Sequence, residues 1–92
     1  MTVGSLRVRL LVRESQSLKD KRQVVRSILD RLRNSFNVSV AEVDALDHLQ
    51  LVVLGVAMVG SEHGQVRQAF EKIVQALRVH PVAELLDHEL DV

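Results

Sequence analysis

The sequence of 92 residues contains no cysteine. This absence excludes a disulfide framework, a thiolate metal site and a thiol nucleophile. No apolar run approaches the ~18 residues that a membrane-spanning helix needs. Residues 1–15 interleave arginines with apolar residues instead of following the order of a signal peptide. We therefore expect a cytoplasmic protein.

Aromatic residues and prolines are also scarce. The only aromatic residues are Phe36 and Phe70, which are too few to build a surface that stacks nucleic-acid bases. A single proline and four scattered glycines leave no linker, repeat or low-complexity tract. Hydrophobic residues make up 47% and charged residues 26%, as in ordinary globular proteins. The length then predicts one domain that spans residues 1–92.

Four segments have the patterns of β-strands. Residues 3–13 and 83–92 alternate apolar with polar side chains, which indicates strands covered on one face. Residues 38–46 are rich in β-branched residues but change parity, which predicts a bulge at Ala41–Glu42. Residues 50–59 are almost continuously apolar, which is typical of a central strand buried on both faces.

Two segments have the patterns of helices. Ser17 is the expected N-cap of the first, with Asp20 at the place of a capping-box acid, and apolar residues follow at helical spacing as far as Phe36. Ser61 is the expected N-cap of the second, which we expect to end at His80. The order β-α-β-β-α-β predicts an α+β, ferredoxin-like fold with a four-stranded antiparallel sheet and two helices on one face.

The net charge of zero conceals an asymmetry along the chain. Residues 1–36 hold nine Lys/Arg against three Asp/Glu, and residues 37–92 hold three against nine. Such a division indicates either a binding face or internal pairing. On the first strand, internal pairing is the favoured interpretation, with contacts to nucleic acid or to a second copy as the alternatives. The expected partners are Arg7, Arg9 and Arg13 on the first strand and Asp87, Glu89 and Asp91 on the last.

The first helix carries a second basic set. At about 100° per residue, Lys19, Arg22, Arg26 and Arg33 fall within roughly 60° of arc, and Lys21 lies on another side. The stripe is either a solvated face or a ridge that contacts phosphate groups, since a helix N-terminus favours anions. The predicted RNA-binding residues are Lys19, Lys21, Arg22, Arg26 and Arg33, assisted by Arg7 and Arg9.

No catalytic or metal-binding pattern is present. None of His48, His63, His80 and His88 pairs at ligand spacing, and we expect His88 to be partly buried on the last strand. The acidic residues near position 44 do not match a calcium loop. No glycine-rich phosphate loop, nucleophile elbow or Ser/His/Asp arrangement occurs. We expect no catalytic residue, no metal, no cofactor and no small-molecule substrate.

The third strand is apolar on both faces, whereas the helices cover only one side of the predicted sheet. The other side is expected to expose a row of apolar residues, and such patches mark interfaces. This row, formed by Leu51, Val53, Ala57 and Val59, is the predicted contact of a homodimer.

Residues 16–22 (QSLKDKR) and 31–43 (RLRNSFNVSVAEV), together with residues 85–90, resemble the YlxP-like family of small bacterial proteins over nearly the whole chain. The resemblance implies a ferredoxin-like fold and a cytoplasmic location. Members are often encoded beside ribosome-binding factor A, which implies contact with RNA or the ribosome. The expected function is a non-enzymatic RNA- or ribosome-associated module in small-subunit maturation or translation. The alternative is a homodimeric protein-interaction module that uses the open sheet face and has no nucleic-acid role.

Overall fold

The computed structural model describes all 92 residues and contains four strands and two helices. In chain order these are β1 (Thr2–Leu11), α1 (Leu18–Ser35), β2 (Val38–Asp44), β3 (Leu51–Gly60), α2 (His63–Arg78) and β4 (Glu84–Asp91). The strands form one antiparallel sheet in the order β2-β3-β1-β4. The predicted ferredoxin-like α+β fold, with the first and third strands central, is confirmed.

The core lies between the helices and one face of the sheet. Alternation along β1 directs Leu6, Val8 and Leu10 toward the helices, and each is at most 1% exposed. Helical spacing places Ile28 of α1 and Phe70 of α2 opposite them, at 2% and 0% exposure. Eighteen buried side chains form a single cluster, so the hydrophobic pattern of the sequence closes into one core.

Helix α1 begins where the capping pattern predicts. The Ser17 side-chain oxygen accepts a hydrogen bond from the Asp20 backbone N–H at 3.1 Å, and the Asp20 carboxylate accepts one from the Gln16 N–H at 3.2 Å. The predicted Ser61 cap of α2 is wrong. Glu62 is the N-cap residue there, and its side chain makes no capping bond.

Two bulges shift the register of the edge strands. The pairing of β2 with β3 shifts between Glu42 and Asp44, which places the predicted bulge at Val43. The pairing of β1 with β4 shifts between Arg9 and Leu10, and leaves Leu86 without a partner and 40% exposed. The expected partial burial of His88 is wrong. Its side chain is exposed because β4 is an edge strand.

Gly4 marks the closest approach of β1 to α2. A Cβ at this position would lie 2.7 Å from Cε2 of Phe70, which is fully buried and has no room to move. We expect Gly4→Ala to lower the free energy of unfolding by about 1–3 kcal/mol through overpacking. Urea denaturation measures this loss.

Gly64 supplies the matched control, since a Cβ there meets nothing within 4 Å and the residue lies in α2. Gly64→Ala should leave stability unchanged or raise it by up to about 1 kcal/mol, because alanine is the better helix former. Equal losses from both substitutions would contradict the packing argument.

Candidate functional site

Arg7 and Arg9 of β1, and Arg13 just beyond its end, are each paired with a carboxylate. The Arg9 Nε lies 3.0 Å from the Asp87 carboxylate of β4, as the sequence predicts. Hydrogen bonding from Arg9 lowers the pKa of Asp87 below its ordinary value. The same bond raises the pKa of Arg9. These opposite directions are consistent with a pair that holds both groups charged.

Arg7 of β1 and Arg13, two residues after the end of β1, pair with carboxylates that the sequence analysis did not name as their partners. The Arg7 Nη2 lies 3.3 Å from the Asp44 carboxylate of β2, and the Arg13 Nε lies 2.7 Å from that of Glu84. Arg7 and Arg9, both predicted to assist RNA binding, therefore have their charges balanced inside the chain. The carboxylates without a cation within 4 Å on this face are Glu89 and Asp91.

Lys21 is buried rather than displayed. Its side chain is 1% exposed, and its Nζ lies 2.7 Å from the Ala45 carbonyl oxygen and 3.0 Å from the Glu42 carboxylate, which is itself 12% exposed. The prediction that Lys21 contacts RNA is corrected, because the residue lies on the apolar side of α1 with Val25 and Ile28. Its angular distance from the basic stripe is the sequence signal of this inward position.

Arg33 is partly engaged at the edge of the sheet. Its Nη2 donates a hydrogen bond to the Val40 carbonyl oxygen of β2 at 3.0 Å, and its Nη1 lies 3.7 Å from the Asp30 carboxylate. Strand β2 is an edge strand, so Arg33 satisfies a carbonyl that would otherwise have no strand partner. Its role in RNA binding stays a prediction, for a guanidinium that is already bonded to β2.

Three of the predicted cations remain free and exposed. Lys19, Arg22 and Arg26 have no carboxylate within 4 Å, and all three side chains are open to solvent. We call these three residues the α1 basic stripe. At 1.5 Å per residue the stripe extends about 10 Å along the helix from its first turn, where the helix dipole adds positive potential.

The open sheet face does not present the continuous apolar row that the sequence predicts. Val53 is 2% exposed and is flanked in the register by Arg9 and Asp44, and Leu51 is half-buried. Of the predicted interface residues, Ala57 and Val59 are exposed. A shallow depression of about 340 Å³ lies across β1, β3 and β2 on this face. The residues that line it include Ser5, Arg7, Ser39, Val43 and Ala57.

A second cleft, of about 460 Å³, lies where β1 ends and the α2–β4 connection begins. His80 stands at its wall, and its Nδ1 accepts hydrogen bonds from the backbone N–H groups of Val82 at 3.2 Å and Ala83 at 3.1 Å. Burial lowers the pKa of His80, and the positive charge of Arg31 lowers it further. Because Nδ1 accepts both hydrogen bonds, this geometry requires the neutral ring, and the lowered pKa favours the same form.

This histidine makes stability depend on pH. Its pKa is lower in the folded chain than the 6.5 of an unperturbed histidine, so the unfolded chain binds the proton more readily. We expect its contribution to be fully present above pH 6.5 and to be lost as the pH falls below that value. Urea denaturation at a series of pH values should show this decline, and His80→Asn, whose amide oxygen can replace Nδ1, should reduce it. An unchanged decline in the variant would assign the effect to other groups.

No three histidine or acidic side chains gather closely enough to hold a metal ion. Two of the acids considered in the sequence are already engaged, Glu42 by Lys21 and Asp44 by Arg7. Neither helix has the combination of length and apolar character required to cross a bilayer.

The fold and this surface define a small ferredoxin-like α+β domain with three unpaired cations along one side of its first helix. The chain belongs to the family described as "Protein of unknown function (DUF503)", whose model matches residues 3–90. It is 30% identical over 82 residues to "Uncharacterized protein YlxP" of Bacillus subtilis (strain 168), and the match covers 89% of each chain. The resemblance to the YlxP-like family is confirmed.

Proposed function

We propose that this chain is a non-enzymatic RNA- or ribosome-associated module that contacts phosphate groups through the α1 basic stripe, in small-subunit maturation or translation. The observation that carries the proposal is that carboxylates of the chain pair with some of the predicted RNA-binding cations and leave the α1 basic stripe unpaired. Arg7, Arg9, Arg13 and the buried Lys21 have carboxylate partners within 4 Å, whereas the three cations of the stripe, which lie along one side of α1, have none. A cation that balances nothing inside the chain is available to an anionic partner.

The segments that carry the family resemblance also contain both kinds of residue, those with a structural role and those without an intramolecular partner. Ser17 and Asp20 of the first segment cap α1, and Lys21 joins that segment to Glu42 of the second. These residues have structural roles. Lys19 and Arg22, in the same first segment, have no intramolecular partner, so a structural role does not account for them.

The position of Lys19 adds a second argument. A cation in the first turn of a helix opposes the helix dipole, at a cost of roughly 0.3–1 kcal/mol. No carboxylate lies within 4 Å of Lys19, so no ion pair inside the chain offsets this unfavourable interaction. A phosphate group at this place would interact favourably with the side chain and with the helix N-terminus together.

The expected mode of binding follows from the aromatic residues. Phe70 is 0% exposed and Phe36 packs against the core, so neither offers a stacking platform to an unpaired base. Binding should therefore be directed at the backbone of folded RNA and depend on its shape. The choice of RNA over DNA rests on the gene neighbourhood that the family resemblance implies.

The test is a titration of the protein into a labelled stem-loop of small-subunit ribosomal RNA at increasing salt. With two or three phosphates neutralised, log K should fall with log salt with a slope of about −2 to −3. An unpaired strand of the same composition should bind less tightly. Absence of binding at low salt, or binding that does not respond to salt, would overturn the proposal.

The alternative of a symmetric homodimer through the open sheet face is not favoured by the geometry. Sheet-on-sheet packing would bury the Arg7–Asp44 and Arg9–Asp87 pairs, whose side chains are now about half exposed. Removing paired charges from water costs more than their attraction returns unless the geometry is excellent. The covered Val53 also interrupts the predicted row, so that the exposed Val3 and Val59 lie at one end of that face.

A further inference from the structure

Helix α1 carries a carboxylate on the same side as its basic stripe. At about 100° per residue, Asp30 lies about 40° from Arg26 and about 20° from Lys19 around the helix axis. It follows Arg26 by four residues, or about 6 Å along the axis. A phosphate group bound by the stripe therefore has a negative side chain as its next neighbour toward the end of the helix.

The charge of Asp30 is only loosely balanced. Its one ion pair joins the Oδ1 atom to the Arg33 Nη1 at 3.7 Å, and the two side chains are 62% and 51% exposed. Arg26 stands four residues earlier, at a spacing that allows an ion pair on a helix. No carboxylate oxygen lies within 4 Å of it, however. Asp30 thus leaves Arg26 free for a phosphate and presents its own negative charge to the solvent.

Beyond Asp30 the same side of the helix carries one more cation. Arg33 lies within about 40° of all three residues of the α1 basic stripe, and it follows Arg26 by about 10 Å along the axis. Its Nη2 donates to the Val40 carbonyl oxygen at 3.0 Å, which fixes the guanidinium beside the edge strand β2. The group is therefore positioned in advance, and a guanidinium has further N–H donors for a phosphate.

Electrostatic repulsion separates this guanidinium from the stripe. A phosphate that continues along the stripe beyond Arg26 must approach the Asp30 carboxylate. The axial separation of about 6 Å is shorter than the Debye length, which is about 10 Å at 0.1 M and longer at lower salt. Arg33 offers no surplus of positive charge to such a phosphate, because Asp30 already lies beside it.

We propose that Asp30 ends the RNA contact of α1 and keeps Arg33 from serving as a fourth phosphate ligand. This inference rests on the proposed function, because it concerns the same stripe and the same RNA. In the unmodified chain the contact extends about 10 Å along the helix, and without the carboxylate it would extend about 20 Å. Asp30 therefore determines the length of RNA backbone that the helix recognises.

The test is Asp30→Asn in the titration with the labelled stem-loop of small-subunit ribosomal RNA. Asparagine keeps the size of the side chain and an oxygen that can accept from Arg33, so the substitution removes charge alone. At 50 mM salt the variant should bind about tenfold more tightly, the factor that one added phosphate contact contributes. The slope of log K against log salt should become steeper by about one unit.

Arg33→Gln distinguishes recruitment of this guanidinium from a general gain in positive charge. In the Asp30→Asn background it should remove most of the gain in affinity and the added slope. In the unmodified chain it should weaken binding much less, because Arg33 contacts no phosphate there. The double-mutant cycle measures this coupling directly. Equal losses in the two backgrounds would overturn the inference.

Glu71→Gln on α2 is the matched control. It removes the carboxylate of a similar exposed pair, in which the Glu71 Oε1 lies 3.9 Å from the Arg67 Nε, and it changes the net charge by the same amount. This variant should bind RNA as the unmodified chain does. An Asp30→Asn variant that binds no more tightly than Glu71→Gln would overturn the inference and leave the proposed function standing. Absence of binding by the unmodified chain would overturn both.

Discussion

Replacing Lys21 by methionine should lower the free energy of unfolding by about 3 kcal/mol, the typical cost of removing one partner from a buried ion pair. Methionine keeps the apolar stem of the side chain but removes the Nζ atom that lies 3.0 Å from the Glu42 carboxylate and 2.7 Å from the Ala45 carbonyl oxygen. The carboxylate, only 12% exposed, would be left without its counter-charge. Urea denaturation should show a lower midpoint with an unchanged m-value.

The control is the double variant Lys21→Met/Glu42→Leu. Removing both charges eliminates the unpaired carboxylate, so the double variant should recover most of the lost stability. A double variant no more stable than the single one would show that packing of the lysine stem, rather than the charge pair, stabilises this position. A single variant as stable as the unmodified chain would show that the buried pair contributes nothing.

The second large effect concerns the α1 basic stripe. Substituting glutamine at Lys19, Arg22 and Arg26 together should weaken binding to the ribosomal stem-loop by about a thousandfold at 50 mM salt, since each neutralised phosphate contributes roughly a factor of ten at that ionic strength. The salt slope should approach zero, because each lost phosphate contact removes about one unit. Glutamine is a good helix former, so α1 should remain intact.

Helix α2 offers a control with the same charge change. Its three cations, Arg67, Lys72 and Arg78, can be replaced by glutamine in the same way, and this variant should bind RNA with nearly the affinity of the unmodified chain. Equal losses from the two triple variants would mean that net charge rather than the stripe attracts RNA. Co-sedimentation with ribosomal subunits would then show whether the stripe also determines ribosome association.

The fold was accessible from the sequence because its determinants are local. Alternation along residues 3–13 and helical spacing from Val25 to Phe36 each record which side of an element meets the core. The N-cap at Ser17 is also a short-range pattern, and the structure bears it out. The Arg9–Asp87 pair followed from placing the last strand beside the first.

The candidate site was only partly accessible. The stripe of Lys19, Arg22 and Arg26 followed from angular position on one helix. The partner of Lys21 could not be found in this way, because Glu42 belongs to β2, far from Lys21 in the sequence. The burial of the Val53 side chain depends on which strands flank β3 and on the bulge at Val43, which together place Arg9 and Asp44 beside it.

The sequence by itself determined the order of elements, the faces that enter the core and the location of excess positive charge, because these are properties of neighbours along the chain. Only the tertiary structure decided which charged side chains form ion pairs within the molecule. Arg7 meets Asp44 instead of Glu89, and Arg13 meets Glu84, because strand order and two one-residue register shifts set the distances between side chains far apart in sequence. Electrostatic pairing falls off over a few ångströms, so it responds to shifts that hydrophobic periodicity does not reveal.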